Sequence, residues 1–318
     1  MCKVFVIPDI HLKPWILDKV EDYLPENAYE RIVCLGDIVD DWGQEENLDL
    51  YEKTFEALIA FANRHPNLLF CYGNHDVSYV WEAHESGYSQ NARNTVLDCL
   101  SRLKNAIPKE NIGYIHRIDN VVFSHAGLSE EFVKHFFPKF HGEFDELIEK
   151  INVLGKEELW CDASPIWVRP QDGGIDMYPS GYLQVVGHTP VRKTDFFGDI
   201  LTVDNFSTYR DGAPIGDRRF VWVDTVTKQW GFADKGNEIE PVPDVRLDIR
   251  NYQVGDRIRF KIKYIDSDEE NTLEGTVEII DRNPGWYSSI DIMSGDTLFK
   301  HIPLSDVLER IGSSKEKD

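Results

Sequence analysis

Five short apolar runs, each followed at once by a polar motif, constrain this chain more than any other feature of its sequence. The runs lie at 3–8, 31–35, 68–72, 120–123 and 183–186, and the motifs after them read DIH, GDIVDD, GNHD, SHAG and GHTP. Short runs rich in β-branched and aromatic side chains are typical of buried strands. In layered α/β folds, the loops at the carboxyl ends of neighbouring strands converge on one edge, where ligands bind. We therefore expect residues far apart in the sequence to meet in a single site.

Helical patterns fill the segments between these runs. Apolar residues recur at helical spacing over about 14–24, 48–64, 92–104 and 129–151, and Pro138 is expected to divide the last segment into two helices. Strands that alternate with helices in this way predict a layered α/β fold.

The pattern changes in the last quarter of the chain, where polar and apolar residues alternate as they do in strands. This alternation covers 256–266, 273–282 and 286–293, and turn sequences separate the three segments. The expected organisation is a first domain at 1–235, a linker at 236–246, a small SH3-like β-barrel domain at 247–312 and a disordered tail at 313–318.

The charge balance and the cysteines limit the class of protein. The chain carries 34 basic and 56 acidic residues, a formal net charge of −22, which argues against docking on duplex nucleic acid or on an anionic membrane. No apolar stretch approaches the ~20 residues of a membrane span, and the N-terminus lacks the apolar region of a signal peptide. The five cysteines show no CxxC spacing, which is typical of reduced thiols, so we expect a cytoplasmic protein.

The polar motifs supply the ligands that divalent metal ions prefer. Carboxylate oxygens and neutral imidazole nitrogens suit hard or borderline ions, with positions left open for water and substrate. Two ions held about 3.5–4 Å apart can polarise a phosphoryl group, and a bridging carboxylate is needed to keep them so close. Each motif alone is common, but the ordered set favours a two-metal site, with Asp37 as the candidate bridge. The candidate ligands are Asp9, His11, Asp37, Asn74, His125 and His188.

The ordered motifs also resemble those of a known family. The blocks DIH, GDIVDD, GNHD, SHAGL and GHTP are similar to the five blocks of the calcineurin-like metallophosphoesterases. The HAGL and GHTP forms are most similar to the phosphoprotein phosphatase branch, with its bacterial and phage members. SPIWVRP at 164–170 and TVDNFSTYRDG at 202–212 extend the resemblance, which covers roughly residues 1–230.

This resemblance implies a fold and a set of metal ligands. The fold would be a four-layer α/β/β/α metallophosphoesterase sandwich, with 1–235 as the catalytic domain. Two divalent metal ions would be bound, with Mn²⁺ as the first choice and Fe²⁺, Zn²⁺, Ni²⁺ or Mg²⁺ as alternatives. By the resemblance, Asp9 and His11 hold the first ion, Asp37 bridges the two, and Asn74, His125 and His188 hold the second.

The resemblance also implies a mechanism. His75 takes the position of the family's proton donor to the leaving oxygen, and Asp40 that of the carboxylate that orients it. An imidazole paired with a carboxylate suits this role, because protonating an alkoxide requires an acid poised near neutral pH. A metal-bridging hydroxide would attack phosphorus directly, without a covalent intermediate.

The sequence departs from the branch at the residue that contacts the substrate phosphate. The branch usually reads GDxVDRG, whereas this chain has Asp41 at the arginine position, and a carboxylate would repel a phosphate dianion. Arg169 is the candidate replacement, since a guanidinium can bind two phosphate oxygens, although a structural ion pair is an equal alternative. Asp76 replaces the glutamate of GNHE, and this aspartate form is found in many phosphodiesterase branches. Pro190 replaces the second histidine of a GHxH block.

Three hypotheses for the function follow. The first is hydrolysis of phosphomonoesters, as by a serine/threonine protein phosphatase, acting on a phosphoprotein or a small molecule. The second is a nucleotide hydrolase, either a dinucleoside tetraphosphatase or a phosphodiesterase. The third is a non-catalytic scaffold, and the presence of all six candidate ligands argues against it.

The C-terminal domain lies outside the resemblance and adds one hypothesis about partners. Its segment RIRFKIKY places aromatic residues between basic ones, a pattern that fits contact with RNA, and SH3-like modules also bind peptides. The neighbouring segment DSDEEN cancels most of that charge. The sequence leaves open whether this domain binds a peptide, RNA or neither.

Overall fold

The computed structural model of the protein describes residues 2–24, 29–172, 174–240, 252–263, 270–281, 289–303 and 306–312. The chain divides into two compact units, one made of Met1–Val168 with Asp176–Val242 and the other of Arg169–Ile175 with Pro243–Asp318. The predicted domain limits stay predictions, and the part of the predicted linker at 241–246 and the whole predicted tail at 313–318 lie outside the described residues.

The described strands of the first unit form two sheets. They are β1 (Lys3–Ile7), β2 (Arg31–Cys34), β3 (Leu68–Cys71), β4 (Ile112–Gly113), β5 (Ile115–Ile118), β6 (Val121–Ser124), β7 (Leu183–Val186), β8 (Asp195–Phe197), β9 (Ile200–Thr202), β10 (Val221–Asp224) and β11 (Trp230–Phe232). The first sheet has the order β11-β10-β1-β2-β3-β4, and the second has the order β5-β6-β7-β9-β8. The five strands predicted before the polar motifs are confirmed as β1, β2, β3, β6 and β7.

Parallel pairing brings the polar motifs to one edge of each sheet. In the first sheet β1 pairs in parallel with β2, β2 with β3 and β3 with β4, while β10 and β11 run antiparallel. In the second sheet β6, β7 and β9 are parallel to one another, and β5 and β8 run antiparallel. Neighbouring parallel strands therefore end side by side, as the motif pattern predicts.

The helices that follow the parallel strands are amphipathic. They are α1 (Trp15–Tyr23), α2 (Leu48–Arg64), α3 (Asn74–Trp81), α4 (Arg93–Ala106), α5 (Glu130–Phe136), α6 (Phe144–Ile151) and α7 (Lys156–Leu159). α2 buries Tyr51, Phe55 and Leu58 on one face, three or four residues apart, as the 3.6-residue period requires. Ser129 caps the start of α5, because its side chain accepts a hydrogen bond from the Phe132 N–H at 3.1 Å. α5 ends before Pro138, so the predicted division at this proline is confirmed.

Buried side chains on both faces of the sheets set the order of the layers. In β1, Val4 and Val6 belong to the apolar cluster between the two sheets, whereas Phe5 and Ile7 belong to the cluster under α1, α2 and α4. A third cluster joins the outer face of the second sheet to α5, α6 and α7. Successive residues of a strand point to opposite faces, so strands buried on both sides must be apolar throughout. The first unit is therefore a mixed α/β fold with the layer order helix, sheet, sheet, helix.

The second unit contains an antiparallel sheet. Its described strands are β12 (Arg257–Lys263), β13 (Glu270–Asp281), β14 (Ser289–Ser294), β15 (Thr297–Pro303) and β16 (Val307–Gly312), in the order β15-β14-β13-β12-β16. Ile258, Phe260, Val277 and Ile292 are buried in its core. No pairing joins β15 to β16 among the described residues, so the closed SH3-like barrel that we expect from the sequence is not confirmed.

None of the described helices combines the length and the apolar character needed to cross a membrane.

Candidate metal centre

The motifs at the ends of β1, β2, β3, β6 and β7 bring all six predicted ligands together. Two groups of potential ligand atoms each lie within 4.8 Å of one another: Asp9, His11 and Asp37 form the first, and Asp37, His125 and His188 the second. The Asn74 Oδ1 joins the second group, 3.0 Å from both His125 Nε2 and His188 Nδ1. Asp37 belongs to both groups, which is the position that a bridging carboxylate requires. The roles of the six side chains as ligands stay predictions.

In the first group, His11 presents one ring nitrogen to the site. Its Nδ1 lies 2.7 Å from the Asp40 carbonyl oxygen and 3.1 Å from that of Val39, so Nδ1 carries the proton and donates it. The lone pair is therefore on Nε2, which lies 3.7 Å from the Asp37 Oδ2. Burial lowers the pKa of His11 against the opposing charge of Asp37, which favours the neutral imidazole that a metal ion binds.

Asp9 has one carboxylate oxygen held by the protein and one that is not. Its Oδ2 accepts a hydrogen bond from the His188 N–H at 2.9 Å, whereas its Oδ1 is buried and makes no hydrogen bond within the described structure. A Cβ at Gly187 would collide with this Oδ1, so only glycine leaves room for it. A buried carboxylate oxygen without a hydrogen bond is costly in apolar surroundings, and a bound cation would satisfy it. The residues present therefore fit a divalent ion.

In the second group, His125 is held in the same manner as His11. Its Nδ1 donates to the Leu35 carbonyl oxygen at 2.9 Å, so Nε2 faces the Asp37 Oδ2 at 3.3 Å. Burial lowers the pKa of His125, but the carboxylates of Asp37 and Asp9 outweigh burial and raise this pKa to about 9. Burial opposes ionisation of Asp37 too, and His125 with the other histidines holds the pKa of Asp37 well below its usual range. The negative site therefore attracts protons that a metal ion would displace.

The backbone at the site is strained where the ligands leave their strands. His11, Asp37, Asp40 and His188 adopt positive φ angles of 42°, 46°, 65° and 65°. Non-glycine residues rarely adopt this left-handed conformation, which costs on the order of 1–3 kcal/mol per residue when the surrounding structure enforces it. This strain turns the side chains out of the strand direction and into the shared site.

Asp76 holds the second and third motif loops together, a role that the sequence did not predict. Its carboxylate accepts hydrogen bonds from the backbone N–H groups of Asp37, Ile38 and Gly73, each at 2.9 Å. It is fully buried, and burial together with the Asp37 charge raises its pKa to about 7. Asp76 therefore fixes the start of α3 relative to the Asp37 loop.

We expect Asp76→Asn to lower the free energy of unfolding of the metal-free protein by about 2–3 kcal/mol, because an amide cannot accept all three N–H groups. Urea denaturation with excess chelator measures this value. Asp98→Asn is the matched control, since Asp98 is exposed on α4 and its replacement should change stability by less than about 0.5 kcal/mol. Equal stability of the two variants would contradict the assigned role.

The predicted proton donor and its orienting carboxylate are in contact. His75 Nδ1 lies 2.9 Å from the Asp40 Oδ2, and the His75 N–H donates to the Asp37 Oδ1 at 3.0 Å. Burial lowers the pKa of His75, but the charges of Asp37 and Asp40 outweigh it and raise this pKa to about 10. The charges of these two carboxylates therefore favour the protonated form of His75, which is anchored next to the candidate metal ligands.

At the position where the branch has arginine, Asp41 forms an ion pair. The Lys13 Nζ lies 3.0 Å from the Asp41 Oδ2 and donates to the His11 carbonyl oxygen at 3.0 Å. The Asp41 Oδ1 accepts a hydrogen bond from the Thr208 hydroxyl at 2.9 Å. Lys13 is buried, and its role could not be predicted from the sequence motifs. Its charge neutralises Asp41 beside the site.

Asp204 is buried in the first unit and accepts a hydrogen bond from the Ser207 hydroxyl at 2.7 Å. Its negative charge acts to raise the pKa of Asp9 and of His11. Asp204 follows a strand whose motif lacks histidine, so the sequence pattern does not distinguish it as a site residue. Arg169 is half-buried and belongs to the second unit, so its predicted contact with substrate stays a prediction.

A family model described as calcineurin-like phosphoesterase matches residues 2–214. The chain belongs to the calcineurin-like phosphoesterase family. This confirms the family resemblance of the motifs. The family consists of metal-dependent phosphoester hydrolases, and the two overlapping ligand groups of this chain agree with that chemistry.

The comparison with solved structures finds matches that include the following three proteins. The chain is 14% identical to a protein serine/threonine phosphatase from Saccharomyces cerevisiae described as similar to human phosphatase PP5, with a TM-score of 0.46 over 77% of this chain and 82% of that one. A metallophosphoesterase from Sphaerobacter thermophilus is 15% identical, with a TM-score of 0.35 over 77% and 89%. The phosphoesterase Yfce from E. coli is 14% identical, with a TM-score of 0.34 over 75% and 97%. No curated protein matches the sequence.

Proposed function

We propose that the protein hydrolyses phosphomonoesters with two divalent metal ions, as serine/threonine protein phosphatases do. The observation that carries the proposal is the presence of Asp37 in both ligand groups. A single carboxylate shared by two sets of oxygen and nitrogen ligands is what a two-metal phosphoesterase requires. Bound there, the two ions would supply Lewis acidity to the phosphoryl group and to the attacking water.

The charge of the site supports a monoester as the substrate. Among the six proposed ligands only Asp9 and Asp37 are acidic, so these side chains would offset only about two of the four positive charges of two divalent ions. A phosphomonoester carries close to two negative charges at neutral pH, whereas a diester carries one. The Lys13–Asp41 pair adds no net charge to this balance.

The position of His75 as a proton donor supports an alkyl phosphate ester as the substrate. His75 Nδ1 is held by Asp40, so a protonated His75 can give its Nε2 proton to a leaving oxygen while Nδ1 stays bonded to the carboxylate. Serine and threonine esters need such a proton because an alkoxide is a poor leaving group. We therefore place a phosphoprotein or a small alkyl phosphate first among the substrates.

The mixed nitrogen and oxygen ligands support Mn²⁺ as the working ion, although Fe²⁺, Zn²⁺, Ni²⁺ and Mg²⁺ accept similar sets. We also propose that the enzyme acts in the cytoplasm, which its five free cysteines support.

A substrate panel tests the proposal. Protein loaded with Mn²⁺ is assayed on p-nitrophenyl phosphate, bis-p-nitrophenyl phosphate, diadenosine tetraphosphate and a phosphoserine peptide, with a chelator-treated sample as the control. We expect kcat/KM for the monoesters to exceed that for the diester by at least about tenfold, since the excess positive charge favours the dianion. Preference for the bis ester or for the dinucleotide would assign the protein to the nucleotide hydrolases instead.

A further inference from the structure

Two buried tyrosine hydroxyls donate to the carboxylate that holds His75. The Tyr51 hydroxyl lies 3.0 Å from the Asp40 Oδ1, and the Tyr79 hydroxyl donates to the same oxygen. The other oxygen of this carboxylate, Oδ2, accepts from His75 Nδ1. Both tyrosines have no exposed surface, so water does not compete for these bonds.

The fold fixes both hydroxyls. Tyr51 lies on α2 and Tyr79 on α3, where it is four residues after His75 and therefore on the same face of the helix. The Tyr79 hydroxyl accepts a hydrogen bond from the Ser89 N–H at 2.9 Å, and its ring stacks on Tyr88 with the centroids 4.4 Å apart. Its own proton is therefore directed to Asp40.

These contacts fix the orientation of the Asp40 carboxylate relative to the His75 imidazole. Burial, together with the Asp40 charge, raises the pKa of Tyr51 and of Tyr79, so both phenols keep their protons and act as donors. With two donors on Oδ1, the Asp40 carboxylate cannot rotate without leaving buried hydroxyl groups unsatisfied. Oδ2 is thereby kept opposite His75 Nδ1.

We propose that Tyr51 and Tyr79 are positioning residues that, through Asp40, hold His75 in line with the leaving oxygen and so determine which leaving groups the site can expel. The inference rests on the proposed phosphatase function. In that reaction water adds to phosphorus, the ester P–O bond breaks, and the leaving oxygen takes the Nε2 proton of His75, which solvent later restores. A nitrophenolate departs without this proton, whereas an alkoxide needs it.

The test compares leaving groups in Tyr79→Phe and Tyr51→Phe, which each remove one oxygen atom. With Mn²⁺-loaded protein, we expect kcat on a phosphoserine peptide to fall by about tenfold, a fraction of the full effect of a general acid, and kcat on p-nitrophenyl phosphate to change by less than about twofold. Metal content, measured by elemental analysis, should be unchanged.

Tyr88→Phe is the matched control. Tyr88 belongs to the same aromatic cluster, but in the described part of the chain its hydroxyl does not donate to Asp40 as those of Tyr51 and Tyr79 do, so both rates should stay at the wild-type level. A double-mutant cycle adds the second readout. In a His75→Asn background, Tyr79→Phe should lower kcat on the phosphoserine peptide by less than about twofold, because the imidazole through which Tyr79 acts is already absent.

Equal losses on both substrates, or full additivity with His75→Asn, would show that the tyrosines only stabilise the fold and would overturn the inference. Hydrolysis of neither ester by the wild-type protein is a separate outcome, since it would refute the proposed function and this inference with it.

Discussion

Asp37→Asn should lose both metal binding and hydrolysis. The amide keeps the size of the side chain but removes the negative charge that both ligand groups share. Neither metal ion would then have the Asp37 carboxylate to offset its positive charge. We expect kcat/KM on p-nitrophenyl phosphate to fall by at least about 10³-fold, as for other members of a catalytic unit. Elemental analysis after Mn²⁺ loading should find clearly less than the two ions per chain that we expect for the wild type.

Asp41→Asn provides the comparison for this result. Asp41 lies on the same loop and in an ion pair with Lys13, but its carboxylate belongs to neither ligand group. We expect this variant to keep both ions, whatever its activity. Retention of two ions by Asp37→Asn would contradict the bridging role, provided that thermal unfolding shows both variants to be folded.

The position of the site could be predicted because strands buried on both faces leave a strong pattern. Val4 and Phe5 face different apolar clusters, so the run before DIH has to be apolar at every position, and the polar residues after it stand out. Parallel pairing then brings the strand ends together. The six candidate ligands could be found from this pattern because each of them closely follows the end of a strand.

The residues that support the site could not be found in this way. Tyr51 and Tyr79 occupy apolar positions of helices, where amphipathic spacing explains them fully, and only the fold brings their hydroxyls to Asp40. Asp76 appeared only as a variant of a motif, since three backbone donors leave no trace in a sequence. The left-handed conformation of His11 is equally hidden, because tertiary contacts impose it.

The C-terminal unit shows a different limit. Three of its strands were predicted from alternation, whereas β15 and β16 carry exposed apolar residues, Leu298 and Leu308, that blur the pattern. The pairing order of strands depends on contacts that alternation alone does not encode. The SH3-like barrel thus stays a prediction, whereas the antiparallel order of the described strands is an observation.

His75→Asn should separate metal binding from proton transfer. His75 lies outside the two ligand groups, so the variant should keep both ions. Without its acid, the site would have to expel an unprotonated alkoxide, and we expect kcat on a phosphoserine peptide to fall by about 10²–10⁴-fold. On p-nitrophenyl phosphate, whose leaving group needs no proton, the loss should stay below about tenfold. Rate measurements on the two substrates at saturating concentration, with the metal content of the same samples, test this expectation.

His135→Asn is the control for a histidine that takes no part in the reaction, because His135 is exposed on α5, and both rates should match those of the wild type. If His75→Asn instead slowed both substrates by the same large factor with both ions in place, His75 would act on the phosphoryl group rather than on the leaving oxygen. The Asp40 carboxylate and its two tyrosines would then hold the positive charge of His75 against the phosphate. In that case the tyrosine variants would also slow both substrates by the same factor.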